Sequence, residues 1–408
     1  MSPLKVLGII AEYNPFHNGH SYQLDACRQL AGTDYTVIAM SGNFTQRGKA
    51  AITDKYVRTQ MALDCGADLV IELPVHAACA SAGYFAFGGV SLLAHTGIVT
   101  HLGFGSECGD IRLLEQAAQI LAQEPEDFKA VLKAGIKSGQ SYALARQKAL
   151  ESCFPKAFGL LTPNNILGIE YIRAIQKTGA PILPVTVRRQ SSGYHDLSLG
   201  EHFCSAKALR RLTFEQPDFK AFDQYMPKAA ASAYISFLKD FPPVSGRMFS
   251  GMLYYALSVC CHLEQIEDMD EFLASRISKL LGQYQDFDSF CMHIKSKNYT
   301  MTRIARALTH VMLGITQKDM QNFLQMEAAP YVRILGFRKS AAPLLRALKG
   351  NSSIPVITKA ADAGRRLNEA QLALFNQNLF ADNLYRQVLN ERGRRFIPHE
   401  FSRGLIIV

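Results

Sequence analysis

Residues Lys5 to Ala11 are almost all apolar, without the polar residue at every second position that a half-solvated strand shows. A strand covered on both faces reads this way, and Asn14-Pro15 ends it. Apolar, β-branched runs recur at Tyr35 to Met40, Asp68 to Leu73, Val99 to Phe104 and Ile182 to Val187. Between them lie helix candidates at Gly19 to Ala31, Thr53 to Cys65, Ala82 to His95 and Asp110 to Ala122. Strand, helix, strand in that rhythm predicts right-handed crossovers and a parallel sheet with helices on both faces, an α/β fold. Ligands of such sheets bind outside the carboxyl ends of the strands.

After about Gln216 the pattern changes to long helical stretches rich in Leu, Met and Arg: Arg247 to Cys261, Glu271 to Leu281, Met301 to Leu313 and Glu369 to Arg392. Only Pro330 to Gly336 and Ile354 to Lys359 look like strands there. The expected division is therefore 1–215 for an α/β domain and 216–408 for a mainly helical one. There is no internal repeat or low-complexity tract.

Composition narrows the class. The 408 residues are 48% hydrophobic, enough for a sizeable core. Lys and Arg outnumber Asp and Glu by 44 to 35, a net charge of +9 that favours a polyanionic partner such as RNA without proving one. Nine cysteines without a CxxC pair read as reduced thiols in a cytoplasmic protein, and no basic segment precedes an apolar signal core. Residues 73–106 hold no Asp, Glu, Lys or Arg, but their Gly, Ala, Ser and His content favours a helix packed on a sheet over a membrane span, so no membrane is expected.

The candidate chemistry begins where the first strand ends. His17-Asn18-Gly19-His20 follows the break at Pro15, and a helix starting near Asn18 would offer unpaired N–H groups and a positive dipole end to an anion. In a helical first turn His17 and His20 project on the same side. HxGH at such a turn resembles the signature of the nucleotidylyltransferase superfamily, in which the histidines donate hydrogen bonds to phosphates as charge builds at the α-phosphorus. The plain alternative is a pair of histidines satisfied within the fold.

Further segments fall at strand ends. Ser41 to Gly48 (SGNFTQRG) offers a loop of backbone donors or an ordinary polar turn, and Gly105 lets a nucleotide lie against the main chain or simply ends a strand. Asn164 and Asn165 precede an apolar helix, where they cap it or read a base or ribose. Arg188 and Arg189 end the fifth strand and suit a triphosphate. Ser205 to Arg210 is similar to a degenerate second phosphate motif of small nucleotidylyltransferases, with Ala206 where a second hydroxyl is often found.

The series EYNPFHNGH, SGNFTQRG, DLVIELP, FGSE, PNNILGIEYI and GYHD, in order over residues 12–196, resembles the bacterial tRNA(Met) cytidine acetate ligase family. The likeness continues more loosely in IKSKNYTMTRIAR and RILGF. It implies a Rossmann-like nucleotidylyltransferase domain with a helical C-terminal domain contributing to tRNA binding. It also implies ATP-dependent activation of acetate as acetyl-adenylate and transfer to the wobble cytidine of elongator tRNA(Met), giving 4-acetylcytidine. By motif, the implied ATP site takes in Ile10, Ala11, Glu12, Tyr13, Asn14, Pro15, Phe16, Asn18, Gly19, Ser21, Tyr22 and Gln23. It adds Gly105, Asn164, Asn165, Arg188 and Arg189, with Ser205 and Arg210 from the second phosphate motif and His17 and His20 as catalytic groups. Which member of each adjacent pair makes the main contact stays open. Mg2+ is expected with the triphosphate, though no carboxylate cage for it is visible.

RNA needs a second surface. Lys295, Lys297, Arg303 and Arg306 are the best candidates, since Ile304, Leu308 and Val311 form the apolar stripe of their helix and the arginines project elsewhere. Tyr299 lies nearby for stacking on an unpaired base. A solvated basic face reads the same way. Two rival readings stay in view: an adenylyltransferase acting on a small metabolite without RNA, and an ATP-binding RNA adaptor without catalysis.

Overall fold

The computed structural model describes residues 4–190, 204–215 and 219–408. Ten strands are present among them: β1 (Val6–Ala11), β2 (Tyr35–Ser41), β3 (Phe44–Thr45), β4 (Lys49–Ala50), β5 (Leu69–Leu73), β6 (His101–Ser106), β7 (Leu183–Arg188), β8 (Val332–Phe337), β9 (Val356–Ile357) and β10 (Ile406–Ile407). All but the small β3–β4 hairpin join one sheet of order β10-β8-β5-β2-β1-β6-β7, with β9 also paired to β8. The five strands from β5 to β7 in that order are mutually parallel. The C-terminal half completes the same sheet, and there the parallel expectation fails: β8 runs antiparallel to β5.

The central strands β1, β2 and β5 are almost wholly apolar because both faces are covered. Val6, Ile10, Val37, Ala39, Leu69 and Ile71 pack into one core, whereas their neighbours Leu7, Ile9, Ile38, Met40 and Val70 pack into another. This is the period of two expressed as two interiors rather than as inside and outside. The charge-free segment becomes the helix Ala82–His95, packed on the sheet. Gly88 and Gly89 permit that approach, since a Cβ on Gly88 would lie 2.4 Å from the Ala77 Cβ and one on Gly89 within 2.9 Å of Ile10 side-chain carbons. Among the described residues no helix is long and apolar enough to cross a membrane.

Below the carboxyl ends of β2 and β5 lies a sealed ionic cluster. Lys55 meets Glu72 at 2.8 Å, Asp382 at 2.5 Å and Glu400 at 3.3 Å, and Arg333 meets Glu72 at 3.0 Å, Asp382 at 3.3 Å and Glu400 more closely. All five side chains are essentially inaccessible to solvent. Burial and the neighbouring Glu72 and Glu400 push the Asp382 carboxyl up to about 7 against the pull of Lys55 and Arg333. Burial also disfavours the Glu400 anion, but Lys55 and Arg333 outweigh it and hold that carboxyl down at about 2. The cluster ties the helix Lys55–Asp64, β5, β8, the helix Glu369–Arg392 and the 400–402 turn into one body.

Candidate functional site

The chain leaves β1 through a tightly held turn. Tyr13 takes a left-handed φ of 47°, and the Asn14–Pro15 peptide is cis. The Asn14 side chain accepts the Ile52 N–H at 2.8 Å, and Arg210 donates to the Asn14 carbonyl at 2.6 Å. Arg58, wholly buried, donates to the carbonyls of Glu12 and Ser41 at 2.8 and 2.9 Å, to Thr53 at 3.2 Å and to Gly42. A guanidinium spent on carbonyls gathers the ends of β1 and β2 with the start of the next helix.

The turn delivers His17 as N-cap of the helix Asn18–Ala31. His17 Nδ1 accepts the Gly19 N–H at 3.1 Å, and His20 Nδ1 accepts the His17 N–H at 3.2 Å. This is a capping box built from imidazoles in place of hydroxyl and carboxylate. The rings stack with centroids 3.7 Å apart and planes 23° apart. Because each Nδ1 accepts, the proton of each neutral ring sits on Nε2. Burial, reinforced by Arg189 and Arg210, lowers the His17 imidazolium to about 3; burial, His17 and Arg189 place His20 well below its ordinary value. Both rings are therefore neutral donors at physiological pH.

His20 lines a cleft of about 440 Å³ outside the strand ends, where the sheet rule places a ligand. Ile10 to Asn14 line it, with Gln23 and Gly105 beside His20. Phe85, Phe104, Leu167 and Tyr171 form an apolar wall, and Arg189 and Arg210 bring positive charge. A smaller adjoining recess is lined by His17, Gly19, Tyr22, Arg188 and Gln190, and shares His20, Gln23, Gly105 and Arg189 with the larger one. A Cβ on Gly105 would come within 3.2 Å of the Arg189 Cγ, so glycine keeps this edge open.

The adjacent pairs separate. Asn165 turns inward, accepting the N–H groups of Glu107 and Cys108 at 2.9 and 3.2 Å and donating to the Leu160 carbonyl at 2.8 Å. Asn164 lines the cleft, with the Arg189 guanidinium 3.4 Å from its Oδ1. Neither amide caps the helix Pro163–Thr178. Glu107 does, accepting the N–H groups of Asn164 and Asn165 and the Thr162 hydroxyl. Burial works against this carboxylate, but the hydrogen bonds from Asn164 and Thr162 prevail and lower its pKa. Arg189 reaches both recesses, whereas Arg188 is more exposed and meets only the smaller.

Of the remaining expected nucleotide contacts, Pro15 and Phe16 are buried under the turn, Ser21 lines neither recess, and Asn18 donates to the Gln224 carbonyl at 2.9 Å. Ser205 accepts the Ala208 N–H at 3.1 Å at the head of its own helix. The GYHD motif at 193–196 lies outside the described residues. In SGNFTQRG, Gln46 and Arg47 reach the cleft, but Asn43 is buried, accepting the Lys55 N–H at 2.9 Å and donating to Asp382 at 2.8 Å.

The basic helix Met301–Leu313 is not a free solvated face. Arg306 forms a two-pronged pair with Asp268 at 2.7 and 2.9 Å, and Arg303 meets Asp270 at 2.7 Å. Tyr299 donates to the same Asp270 at 2.7 Å beneath the Arg303 guanidinium, so its ring is already engaged. Lys295 and Lys297 are exposed. Sequence reasoning missed that Thr302 and Arg306 line the same cleft as His20. The fit depends on Gly48, at φ 66°, where a Cβ would fall 2.2 Å from the Arg306 nitrogen, and on the Thr309 hydroxyl donating to the Gly48 carbonyl at 2.9 Å.

Among the described residues no group of three or more His, Cys, Asp or Glu could hold a metal ion. Glu12 is the one carboxylate among the lining residues of the two recesses. That donor set suits only an ion carried largely by phosphates and water.

A family model described as HIGH Nucleotidyl Transferase matches residues 4–396. A tRNA(Met) cytidine acetate ligase of Thermoanaerobacter sp. (strain X514) is 41% identical over 384 residues, 93% of this chain and 94% of that protein. Its counterpart from Acetivibrio thermocellus is 35% identical over 99% of this chain and 100% of its own length. The crystal structure of Thermotoga maritima TmcAL bound with alpha-thio ATP superimposes with a TM-score of 0.90 at 30% identity, covering 99% of both chains.

Proposed function

Because this chain belongs to the HIGH nucleotidyl transferases and, among them, to the tRNA(Met) cytidine acetate ligases, we propose that its cleft carries out both halves of an ATP-driven acetylation. It is an ATP-using ligase that acts on tRNA(Met). In the first half, an acetate oxygen attacks the α-phosphorus of ATP and pyrophosphate leaves in line. The Nε2–H groups of His17 and His20 donate to phosphate oxygens as their charge grows, without giving up a proton. Arg189 and Arg210 offset that charge further, and Arg188 reaches the outer phosphates from the smaller recess. Asn164 and the main chain at Gly105 hold the nucleoside. Glu12 is the one carboxylate in the lining, so Mg2+ would be held mainly through the triphosphate and would offset its charge there. The apolar wall of Phe85, Phe104, Leu167 and Tyr171 keeps water from the mixed anhydride.

In the second half, the amine of the wobble cytidine takes the acetyl group, giving 4-acetylcytidine and AMP. The observation that carries this reading is that one cleft is lined by His20 and Arg189 on one side and by Thr302 and Arg306 of the C-terminal half on the other. A transferase for a small metabolite has no use for that second wall. Lys295 and Lys297 contact tRNA phosphates, whereas the charges of Arg303 and Arg306 are offset by Asp270 and Asp268.

The test is to incubate the protein with elongator tRNA(Met), ATP and acetate and to digest the RNA for mass spectrometry. One added acetyl group on the wobble cytidine, dependent on all three components, is expected. Adenylation of acetate with unmodified RNA would leave the small-metabolite reading standing.

A further inference from the structure

The second half-reaction needs a group to take a proton from the attacking amine, and the cleft offers few. The imidazoles are spent: each Nδ1 accepts a main-chain N–H, so each Nε2 carries its proton toward the ligand. Tyr13 and Tyr171 are buried phenols whose pKa burial raises further, which keeps them protonated. The arginines hold their protons, and Asn164, Gln23 and Gln46 carry no basic site. Glu12 is left.

We propose that Glu12 is the general base of acyl transfer, accepting the proton of the cytidine amine as that nitrogen attacks the acetyl carbonyl. This rests on the two-step reading above. The nitrogen lone pair forms the new C–N bond while the carbonyl π pair moves onto oxygen, and the amine proton passes to the Glu12 carboxylate. The oxyanion then collapses, the bond between the acyl carbon and the phosphate oxygen breaks, and AMP leaves with that oxygen as a phosphate anion. Glu12 returns its proton to water.

The position of Glu12 is fixed from two directions. Its own carbonyl is held by the buried Arg58 at 2.8 Å, and its Oε1 accepts the Gln46 N–H at 2.9 Å. Glu12 is also the one carboxylate among the residues that line the cleft, with Arg210 near enough to feel its charge. A carboxylate anchored through one oxygen in the lining of the cleft is placed to receive a proton.

Glu12→Gln keeps the shape and the Gln46 contact but removes the base. Acetate-dependent exchange of pyrophosphate into ATP reads adenylation alone, and rapid quench of enzyme preloaded with ATP and acetate, then mixed with tRNA(Met), reads transfer. We expect transfer to fall about 10²- to 10⁴-fold and exchange to fall far less, with partial recovery in Glu12→Asp. Parallel loss of both steps would mean that Glu12 serves the nucleotide or its magnesium, and unchanged transfer would mean that it does nothing; either overturns the proposal. Should Glu12→Gln not fold, the split between the two steps in Glu12→Asp decides. Failure of the two-step reading itself would show separately, as absence of exchange or of tRNA acetylation in the unaltered protein.

Discussion

Two polar assemblies meet at the carboxyl ends of β1, β2 and β5, and they solve opposite problems. The histidine turn faces a cleft and is made of neutral imidazoles whose Nε2 protons no described residue accepts. The cluster of Lys55, Arg333, Glu72, Asp382 and Glu400 is sealed, and its formal charges are spent on one another. An arriving anion needs donors that are pre-placed and unspent. A charge left in the interior needs compensation or it unfolds the protein. The difference teaches which polar groups here serve a ligand and which serve the fold, and substitutions should separate the two.

The largest effect is expected at the sealed site. Lys55→Met leaves three buried carboxylates with one cation and should lower stability by about 3–5 kcal/mol in chemical denaturation. The double variant Lys55→Met/Glu72→Leu removes one charge of each sign and should recover much of that loss. A single variant as stable as the parent would show that the cluster is not what joins the C-terminal strands to the sheet.

At the open site the loss should fall on rate. His20→Ala should reduce acetate-dependent pyrophosphate exchange by about 10²–10³-fold, the ~2.7–4 kcal/mol typical of one lost transition-state donor. Its denaturation midpoint should move little, since only one acceptor of the helix cap is gone. Normal exchange in this variant would remove His20 from the chemistry.

The pair Asn164 and Asn165 repeats the contrast within two residues. Asn165→Ala strands the N–H groups of Glu107 and Cys108 and should cost about 1–3 kcal/mol of stability. Asn164→Ala should instead raise the KM for ATP about tenfold, the equivalent of ~1.4 kcal/mol of binding. Interchanged outcomes would mean that the wrong amide has been placed in the cleft.

The same contrast explains what could be read from the chain. The parallel strands, the helix Asn18–Ala31 and the common side of His17 and His20 depend on spacings of a few residues, and the sequence displays such spacings directly. Met301–Leu313 and Glu369–Arg392 fall where their patterns place them, because apolar stripe and caps are local. What local pattern could not show was pairing across the chain. Asp268 and Asp270 claim Arg306 and Arg303 from more than thirty residues away, and Asp382 meets Lys55 across 327 positions. Nor does a run such as Pro330 to Gly336 say that its strand will join the N-terminal sheet in reverse. Asn164, Asn165 and Glu107 were visible as motif letters, but that Asn164 lines the cleft while Asn165 turns inward and Glu107 caps the helix depended on contacts across 57 and 58 positions.

The smallest expected effect is an absence, and pH is the means to look for it. If His17 and His20 act as neutral donors, exchange at saturating ATP should be nearly flat between about pH 6 and 8, with no limb at the ordinary imidazole value. Stability should nonetheless respond, and with opposite sign at the two sites. Burial lowers the His17 imidazolium from 6.5 to about 3, so across that interval the unfolded chain binds more protons, and the stability present above 6.5 is lost as the pH falls. Burial raises Asp382 from 3.8 to about 7, so the folded chain holds more protons there, and stability from this group is lost as the pH rises through that window. Denaturation midpoints followed from about pH 4 to 8 should therefore lose part of their acid sensitivity in His17→Phe. A rate limb near 6.5 that His17→Phe or His20→Phe abolishes would mean that an imidazole gives up its proton during adenylation, and the open site would then work by acid–base exchange rather than by fixed donors.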